Sequence, residues 1–329
     1  MSVVDTVDAL HAIEAYGDNP SAYLALNEGN RYFTAAAVPG VVAYREAGRY
    51  LLQFGGAFTE PDAQPALLRA FTAFAAQRRR RILAVQLQEG DAAVYASQGF
   101  RVNQMGASYA VDLAKFTLKG TKFMRLRNKI SRALRSGVVV EESDPEALES
   151  TLDAIDKAWL RSKGKHVKPL RFLVGEHGSD GGSRRRLFVA RIQGAAIAYI
   201  TYVPVYGSRP GWLHDLSRRH ADSVPPGVME AVNAAAIERF RSEGAAWLHF
   251  GFTPFTGLDP AYEADTASNI VGRIVRLLAR RGEMVYPSKT QLAYKEKWGP
   301  HVVLPEYIAF QGRVRLGGIW QLMRTTNAV

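Results

Sequence analysis

Residues 187–216, LFVARIQGAAIAYITYVPVYGSRPGWLHDL, decide the fold. Their apolar and β-branched runs predict three strands, over 187–192, 195–205 and 211–216. Gln193-Gly194 is the two-residue hairpin turn between the first two. Downstream, the pattern predicts a helix over 226–242, a strand over 246–252, a helix over 266–281 and a closing strand over 291–296. Upstream, it predicts a strand over 138–142 and a helix over 145–163. This half therefore reads as several antiparallel strands followed by alternating helices and strands.

The first half repeats that order. A short helix is predicted over 5–17, then strands over 31–36, 41–46 and 50–54, with turns at Pro39-Gly40 and Ala47-Gly48. Over 60–77, Leu67, Leu68, Phe71 and Phe74 fall at helical spacing. A strand over 82–87, a short helix over 91–98 and a strand from Gly99-Phe100 toward 109–113 complete it. This is the element order of an acetyltransferase-like (GNAT) unit. The predicted fold is thus α/β (α+β), with two tandem GNAT-like domains and mixed, mostly antiparallel sheets. The expected division is an N-terminal GNAT-like domain at 1–115, a basic connecting helix at 116–136 and a C-terminal GNAT-like catalytic domain at 137–329. The repetition is architectural; no residue-level internal repeat stands out.

Composition narrows the class. The chain has 329 residues, 47% of them apolar, enough for sizeable cores. No run of about 18 apolar residues predicts a membrane span. The first sixteen residues carry Asp5, Asp8 and Glu14 and no leading positive charge, which is not the pattern of a signal peptide. The absence of Cys excludes disulfides and thiolate zinc sites and fits the cytoplasm. The seven His show no metal-ligand spacing, and there is no P-loop or Gly-x-Ser-x-Gly elbow.

A net charge of +11 points to polyanions, either nucleic acid or an anionic membrane, unless it is only a solvated basic face. Residues 119–135 hold the patterned part of that charge. Read as a helix, Lys122, Arg125, Lys129 and Arg132 share one face and Phe123, Leu126, Ile130 and Ala133 another. No acid interrupts 119–140, so this face offers about one cation per turn to a phosphate backbone. Arg78–Arg81, at a helix-to-strand junction, fits compensation of the helix dipole. Lys163, Lys165, His166, Lys168 and Arg171 form a basic loop that reads equally as solvated or as touching nucleic acid. Residues 175–183, GEHGSDGGS, read as a lid or a tolerated insertion. The stretch 310–323 reads as a membrane-touching amphipathic helix or, more commonly, as a tail packed on its own domain.

Polar groups in the second half collect at strand ends and helix starts. His214, Asp215 and Arg218 follow the strand that begins at Gly211; an acid and a base so placed can hold an amino group and an anion, or simply brace the turn. Pro225-Pro226-Gly227 opens a helix whose free amides suit an anion. The Gln/Arg-x-x-Gly-x-Gly/Ala loop that cradles the pyrophosphate of acetyl-CoA is absent there. Thr253 and Thr256 lie in a small, hydroxyl-rich strand end, and Gly251 and Gly257 let a substrate approach the backbone. In the predicted closing strand, Lys295 and Lys297 would point to one face and Tyr294, Glu296 and Trp298 to the other.

Four stretches, in order, resemble the cytosolic domain of the phosphatidylglycerol lysyltransferases, the multiple peptide resistance factor family. They are KFMRLRNKISRALRSG at 122–137, DLSRRHADSVPPGVM at 215–229, FGFTPFTG at 250–257 and YKEKWGP at 294–300. The likeness covers roughly 20–310 and is weakest before residue 100. It implies two acetyltransferase-like domains and transfer of an amino acid from aminoacyl-tRNA to a hydroxyl, amine or hydroxylamine. The acceptor would be a phosphatidylglycerol-type lipid or a small natural-product intermediate. By position, Asp215 and Arg218 match the family's Asp-Leu-x-Arg site, Tyr294, Lys295 and Glu296 its Tyr-Lys segment, and Arg125, Arg127 and Asn128 its basic helix. The implied roles are as follows. Asp215 holds the aminoacyl α-ammonium or a basic side chain, backbone amides or Lys295 offset the oxyanion, and Glu296, His214 or the leaving ribose hydroxyl itself handles the proton. Gly227, Thr253, Thr256 and Tyr294 contact substrate, and Lys122, Arg125, Arg127, Lys129 and Arg132 bind tRNA. No cofactor and no DNA partner are implied, and the location is cytoplasmic with peripheral membrane contact. Thr290-Gln291-Leu292 stands where the family often has Gly-Leu-Arg, and Ser217, Arg219 and His220 also depart from its pattern, which bears on the choice of amino acid. The competing readings are an acyl-CoA-dependent N-acyltransferase and a non-catalytic tRNA- or membrane-binding module.

Overall fold

A computed structural model describes residues 6–164, 168–176, 184–221, 224–281 and 288–328. The chain opens with α1 (Thr6–Tyr16) and the strands β1 (Arg31–Ala35), β2 (Val38–Ala47) and β3 (Tyr50–Phe54). Then come α2 (Gln64–Gln77), β4 (Arg81–Leu87), α3 (Glu89–Ser97) and the long β5 (Phe100–Asp112). α4 (Met124–Arg135) leads into β6 (Val139–Ser143), α5 (Glu149–Lys163), β7 (Arg186–Ile192), β8 (Ala195–Val205) and β9 (Gly211–Arg219). The remainder is α6 (Val228–Ser242), β10 (Trp247–Pro254), α7 (Asn269–Arg281), α8 (Ser288–Glu296), β11 (Val302–Gln311) and α9 (Leu316–Thr325). The hairpin predicted at Gln193-Gly194 is present. Both residues have positive φ, 49° and 82°, as a type I′ turn requires.

The strands form one sheet in the order β1-β2-β3-β4-β11-β5-β10-β9-β8-β7-β6. β3–β4 and β9–β10 pair in parallel and the other neighbours antiparallel, the mixed, mostly antiparallel pattern expected of the fold. The two halves exchange strands at the centre. β11, from the end of the chain, lies between β4 and β5, and β5, from the first half, lies against β10.

One expectation fails. Residues 291–296 are helical, in α8, and the strand that closes the sheet is β11, further along. The residues of this segment that turn inward are Ser288, Leu292, Lys295 and Trp298, three or four apart. A buried lysine hides that helical period when it is counted as polar. In β11, Pro305 and the fully buried Glu306 mask a strand in the same way.

Alternate sheet residues point to opposite sides. Leu52, Leu83 and Ile308 pack with α1, α7 and α9. Leu51, Ile82 and Ala309 pack on the other side with α2 and α3. In the second half, Ile200 and Tyr202 face α4 and α6, while Tyr199 faces α5. Val203 and Val205 lie on the Tyr199 side of β8 and join the core of α1, α7 and α9. One face of the sheet therefore carries α1, α5, α7 and α9, and the other α2, α3, α4 and α6. Among the described residues no helix is long and apolar enough to cross a membrane.

Candidate active site

β9 and β10 pair only from Gly211–Trp247 to Leu213–His249. Beyond that, β9 stays with β8 and β10 continues with β5 alone, so the sheet opens between them. The opening frees the carbonyls of Gly251 and Phe252, and Lys295 of α8 fills it. The buried Lys295 Nζ donates to both, at 2.7 and 3.0 Å. Burial pushes Lys295 down to about 7, opposed by the charge of Glu306. Glu306, on β11, is itself pushed up to about 7 by burial, against the hydroxyl of Ser108, which donates to it, and the charge of Lys295. Lys295 and Glu306 thus bias each other's charge within the sheet without a direct ion pair between them among the described residues. Glu306 escaped the sequence reading, and an acid inside the run VVLPEYIAF was the signal for it.

The other predicted residues of this region gather around that lysine. Thr253 is fully buried, and its hydroxyl has no hydrogen-bond partner among the described residues. Thr256 donates to the Thr253 carbonyl and accepts from the Tyr109 hydroxyl, each at 3.0 Å. His214 is enclosed by the rings of Tyr202, Phe250 and Tyr294, with Nδ1 3.2 Å from Asn233 Oδ1. Burial pushes it down to about 4, so it is neutral at pH 7. Tyr294 reaches the Met229 carbonyl at 3.5 Å. Glu296, by contrast, is exposed on α8.

Asp215 lies on the opposite face of the sheet, and a β-bulge places it there. His214 pairs with Tyr202 and Ser217 with Ile200, so Asp215 and Leu216 together stand opposite Thr201. In a regular strand Asp215 and Arg218 would point to opposite sides; the bulge brings both to the α5 side. They do not pair with each other. Asp215 accepts from Arg185 Nη1, with the two side chains 2% and 3% exposed. Arg218 lies over the Trp159 ring at 4.0 Å and 3.9 Å from Asp156. The backbone at Gly175 passes so close that a Cβ there would overlap the Asp215 carboxylate. Gly175 opens the glycine-rich stretch read from the sequence as a lid or an insertion, whereas Arg185 was not singled out. The run Arg184–Arg186 after that loop was the only mark of Arg185, and each of its arginines meets a different acid: Glu14, Asp215 and Glu142.

The basic helix α4 has the two faces expected. Lys122, just ahead of it, and Arg125, Lys129 and Arg132 are exposed, while Leu126 and Ala133 are buried and Phe123 and Ile130 partly so. Arg127 turns back, donating to the carbonyls of Leu118 and Gly120 and bracing the loop ahead of the helix. A cleft of about 670 Å³ beside that loop is lined by Lys119, Arg127 and Arg241 among others. α4 crosses the start of α6 closely: Gly227 has φ +92°, and a Cβ there would overlap the Lys129 carbonyl. Glu230 in the first turn of α6 pairs with Lys297 at 2.7 Å and Lys129 at 3.5 Å.

Two expected loops are only partly described. Lys165 and His166 of the basic loop, and residues 177–183 of the glycine-rich loop, lie outside the described residues. The C-terminal helix α9 does not pack on the second half, where the tail was expected; through Leu322 and Ile319 it covers β2 and β3 of the first half, and it leaves Leu316 and Trp320 exposed.

Comparison with known proteins gives consistent matches. The family described as "Phosphatidylglycerol lysyltransferase, C-terminal" matches residues 11–310. A phosphatidylglycerol lysyltransferase of Bacillus subtilis is 23% identical over 287 residues, 86% of this chain and 32% of the relative. The chain spans about a third or less of the curated relatives it matches. Two solved structures superpose with a TM-score of 0.79. One is the C-terminal domain of a protein assigned as a lysylphosphatidylglycerol synthetase from Agrobacterium fabrum, at 22% identity and 98% coverage of both chains. The other is L-PGS from Bacillus licheniformis, at 21% identity, covering 98% of this chain and 95% of that one.

Proposed function

The chain belongs to the phosphatidylglycerol lysyltransferase C-terminal family, and on that premise we propose that it transfers an aminoacyl group from aminoacyl-tRNA to a hydroxyl on an anionic phospholipid. The observation that carries this reading is the crossing of α4 over α6. An acyl-CoA enzyme of this fold holds pyrophosphate at the helix start that follows the opening strands. Here that place is packed against the Lys129 carbonyl, whose oxygen repels an anion. The same helix turns Arg125 and Arg132 outward, and Lys122 just ahead of it is also exposed. Phosphates are then held along a surface, as a polynucleotide requires, and not at the helix start.

The donor is an ester and already activated. tRNA lies along α4 with its aminoacyl end directed into the sheet opening. Asp215 receives the aminoacyl ammonium from the α5 side and shares its charge between that group and Arg185; because the carboxylate is 2% exposed beneath Gly175, that backbone segment has to shift to admit the ammonium. The acceptor hydroxyl attacks the ester carbonyl, and the C–O bond to the ribose breaks. The proton of the attacking hydroxyl ends on the released ribose oxygen. Lys295, in its protonated state, offsets the oxyanion, a contribution of about 3–4 kcal/mol in comparable sites. His214 is buried and held neutral, which suits it to shaping the opening more than to taking the proton. The reading puts the domain on the cytoplasmic side, where charged tRNA is found.

The test is incubation with a pool of radiolabelled aminoacyl-tRNAs, with and without phosphatidylglycerol vesicles, and separately with labelled acetyl-CoA. Label in the organic phase that requires both tRNA and lipid supports the reading. Label taken from acetyl-CoA, or product formed only without lipid, overturns it.

A further inference from the structure

We infer that the outer side of α7 is a docking surface for an anionic lipid bilayer. The helix reads NIVGRIVRLLARR and contains no acid. Val271, Gly272 and Val275 are buried against the sheet. Ile270, Ile274 and Leu277 are 66%, 37% and 54% exposed, although aliphatic. At about 100° per residue these three fall within about 60° of one another on the helix. Arg273, Arg276 and Arg280 fall within a similar arc beside them, and all three are exposed. Among the described residues none of these arginines pairs with a carboxylate.

An apolar stripe flanked by cations matches the layered chemistry of a bilayer surface. The aliphatic side chains enter the acyl boundary while the guanidinium groups meet the phosphates. A nucleic acid uses the arginines but gives three exposed aliphatic side chains nothing to pack on, so the stripe favours lipid. The same face of the sheet supplies a second element of this kind. In α9, Leu316 and Trp320 are 74% and 54% exposed, four residues apart, with Arg313, Arg315 and Arg324 around them. Five of the large apolar side chains that the protein exposes lie on these two helices, and both pack into the core on the side of the sheet opposite α4. A membrane on this side leaves the α4 ridge free on the other.

This inference deepens the lipid-acceptor reading and rests on it for the identity of the membrane's role, but binding is measured without turnover. The 329-residue chain is floated with vesicles of phosphatidylglycerol and phosphatidylcholine, and with phosphatidylcholine alone, and its tRNA affinity is measured in parallel. The variants are Ile274→Ser with Leu277→Ser, and Arg273→Glu with Arg280→Glu, all at exposed positions. Both pairs are expected to lower partition onto the anionic vesicles by about tenfold or more, with tRNA affinity unchanged. Flotation like that of the unaltered protein, or loss of tRNA affinity in the arginine variant with flotation retained, overturns the inference. If the unaltered protein floats through α7 but labels no lipid, the functional reading fails and the docking surface stands.

Discussion

Asp215 and Arg185 are buried together, and each is the other's only ion-pair partner among the described residues. Removing one charge strands the other, so Asp215→Asn and Arg185→Gln should each lower stability by about 3 kcal/mol in urea unfolding. Their catalytic effects should separate. Asp215→Asn removes the seat of the substrate ammonium, and kcat/KM should fall about a hundredfold or more with tRNA affinity kept. Arg185→Gln leaves the carboxylate in place and should cost far less; equal losses in the two variants would show that Asp215 acts only through the fold. Lys295 and Glu306 make a pH-dependent pair. Glu306 is raised from its ordinary 4.5 to about 7, so the stability it contributes is complete below 4.5 and is lost as pH rises to 7. Lys295 is lowered from 10.5 to about 7, so stability recovers as pH rises from 7 to 10.5. If protonated Lys295 serves the reaction, activity falls as pH rises through that value. Glu306→Gln removes the charge that supports the ammonium, so the alkaline limb of the kcat/KM profile should move to lower pH. A limb that stays put, or moves up, would separate Lys295 from the chemistry.

Elements with a clean apolar period were legible in the sequence. The hairpin of β7 and β8 follows from Gln193-Gly194, and the two faces of α4 from its spacing. What stayed hidden was set by polar residues in apolar places. Lys295 breaks the apparent period of α8, and the bulge at Asp215 and Leu216 leaves no mark in composition because only the register with β8 reveals it. Arg127 shows a second limit: it sits in the basic segment with the others, yet it spends its donors on the loop carbonyls of 118 and 120. The tRNA ridge is therefore narrower than the charge count suggests. Arg125→Glu with Arg132→Glu should weaken tRNA binding by roughly 10–100-fold and reduce the steepness of its salt dependence by about two phosphate contacts, while lipid flotation is retained. Binding that weakens without any change in the salt dependence would place the phosphates elsewhere.

The whole molecule is held by the exchange of β5 and β11, which the sequence leaves unreadable because the partners are far apart. Phe310 of β11 pairs with Leu83 of β4, more than two hundred residues away, and no local pattern encodes such a pairing. Tyr307 and Ala309 fill one core of the first half, Ile308 and Phe310 the other. Burying three large side chains there contributes roughly 5–9 kcal/mol, as much as the net stability of many domains. The first half without β11 has a gap between β4 and β5 and two apolar faces short of their centre. Residues 1–115 expressed alone should therefore fail to show a cooperative urea transition. The full chain should unfold with its aromatic signals in the two halves moving together, because the same two strands belong to both cores. A cooperative transition in the 1–115 fragment would mean that the shared strands join two units already stable apart. The joint unfolding is also what the two-sided reading needs: α4 on one face and α7 on the other are fixed to a single sheet, so a nucleic acid held on one side and a bilayer on the other keep a constant spacing across the opening that holds Lys295.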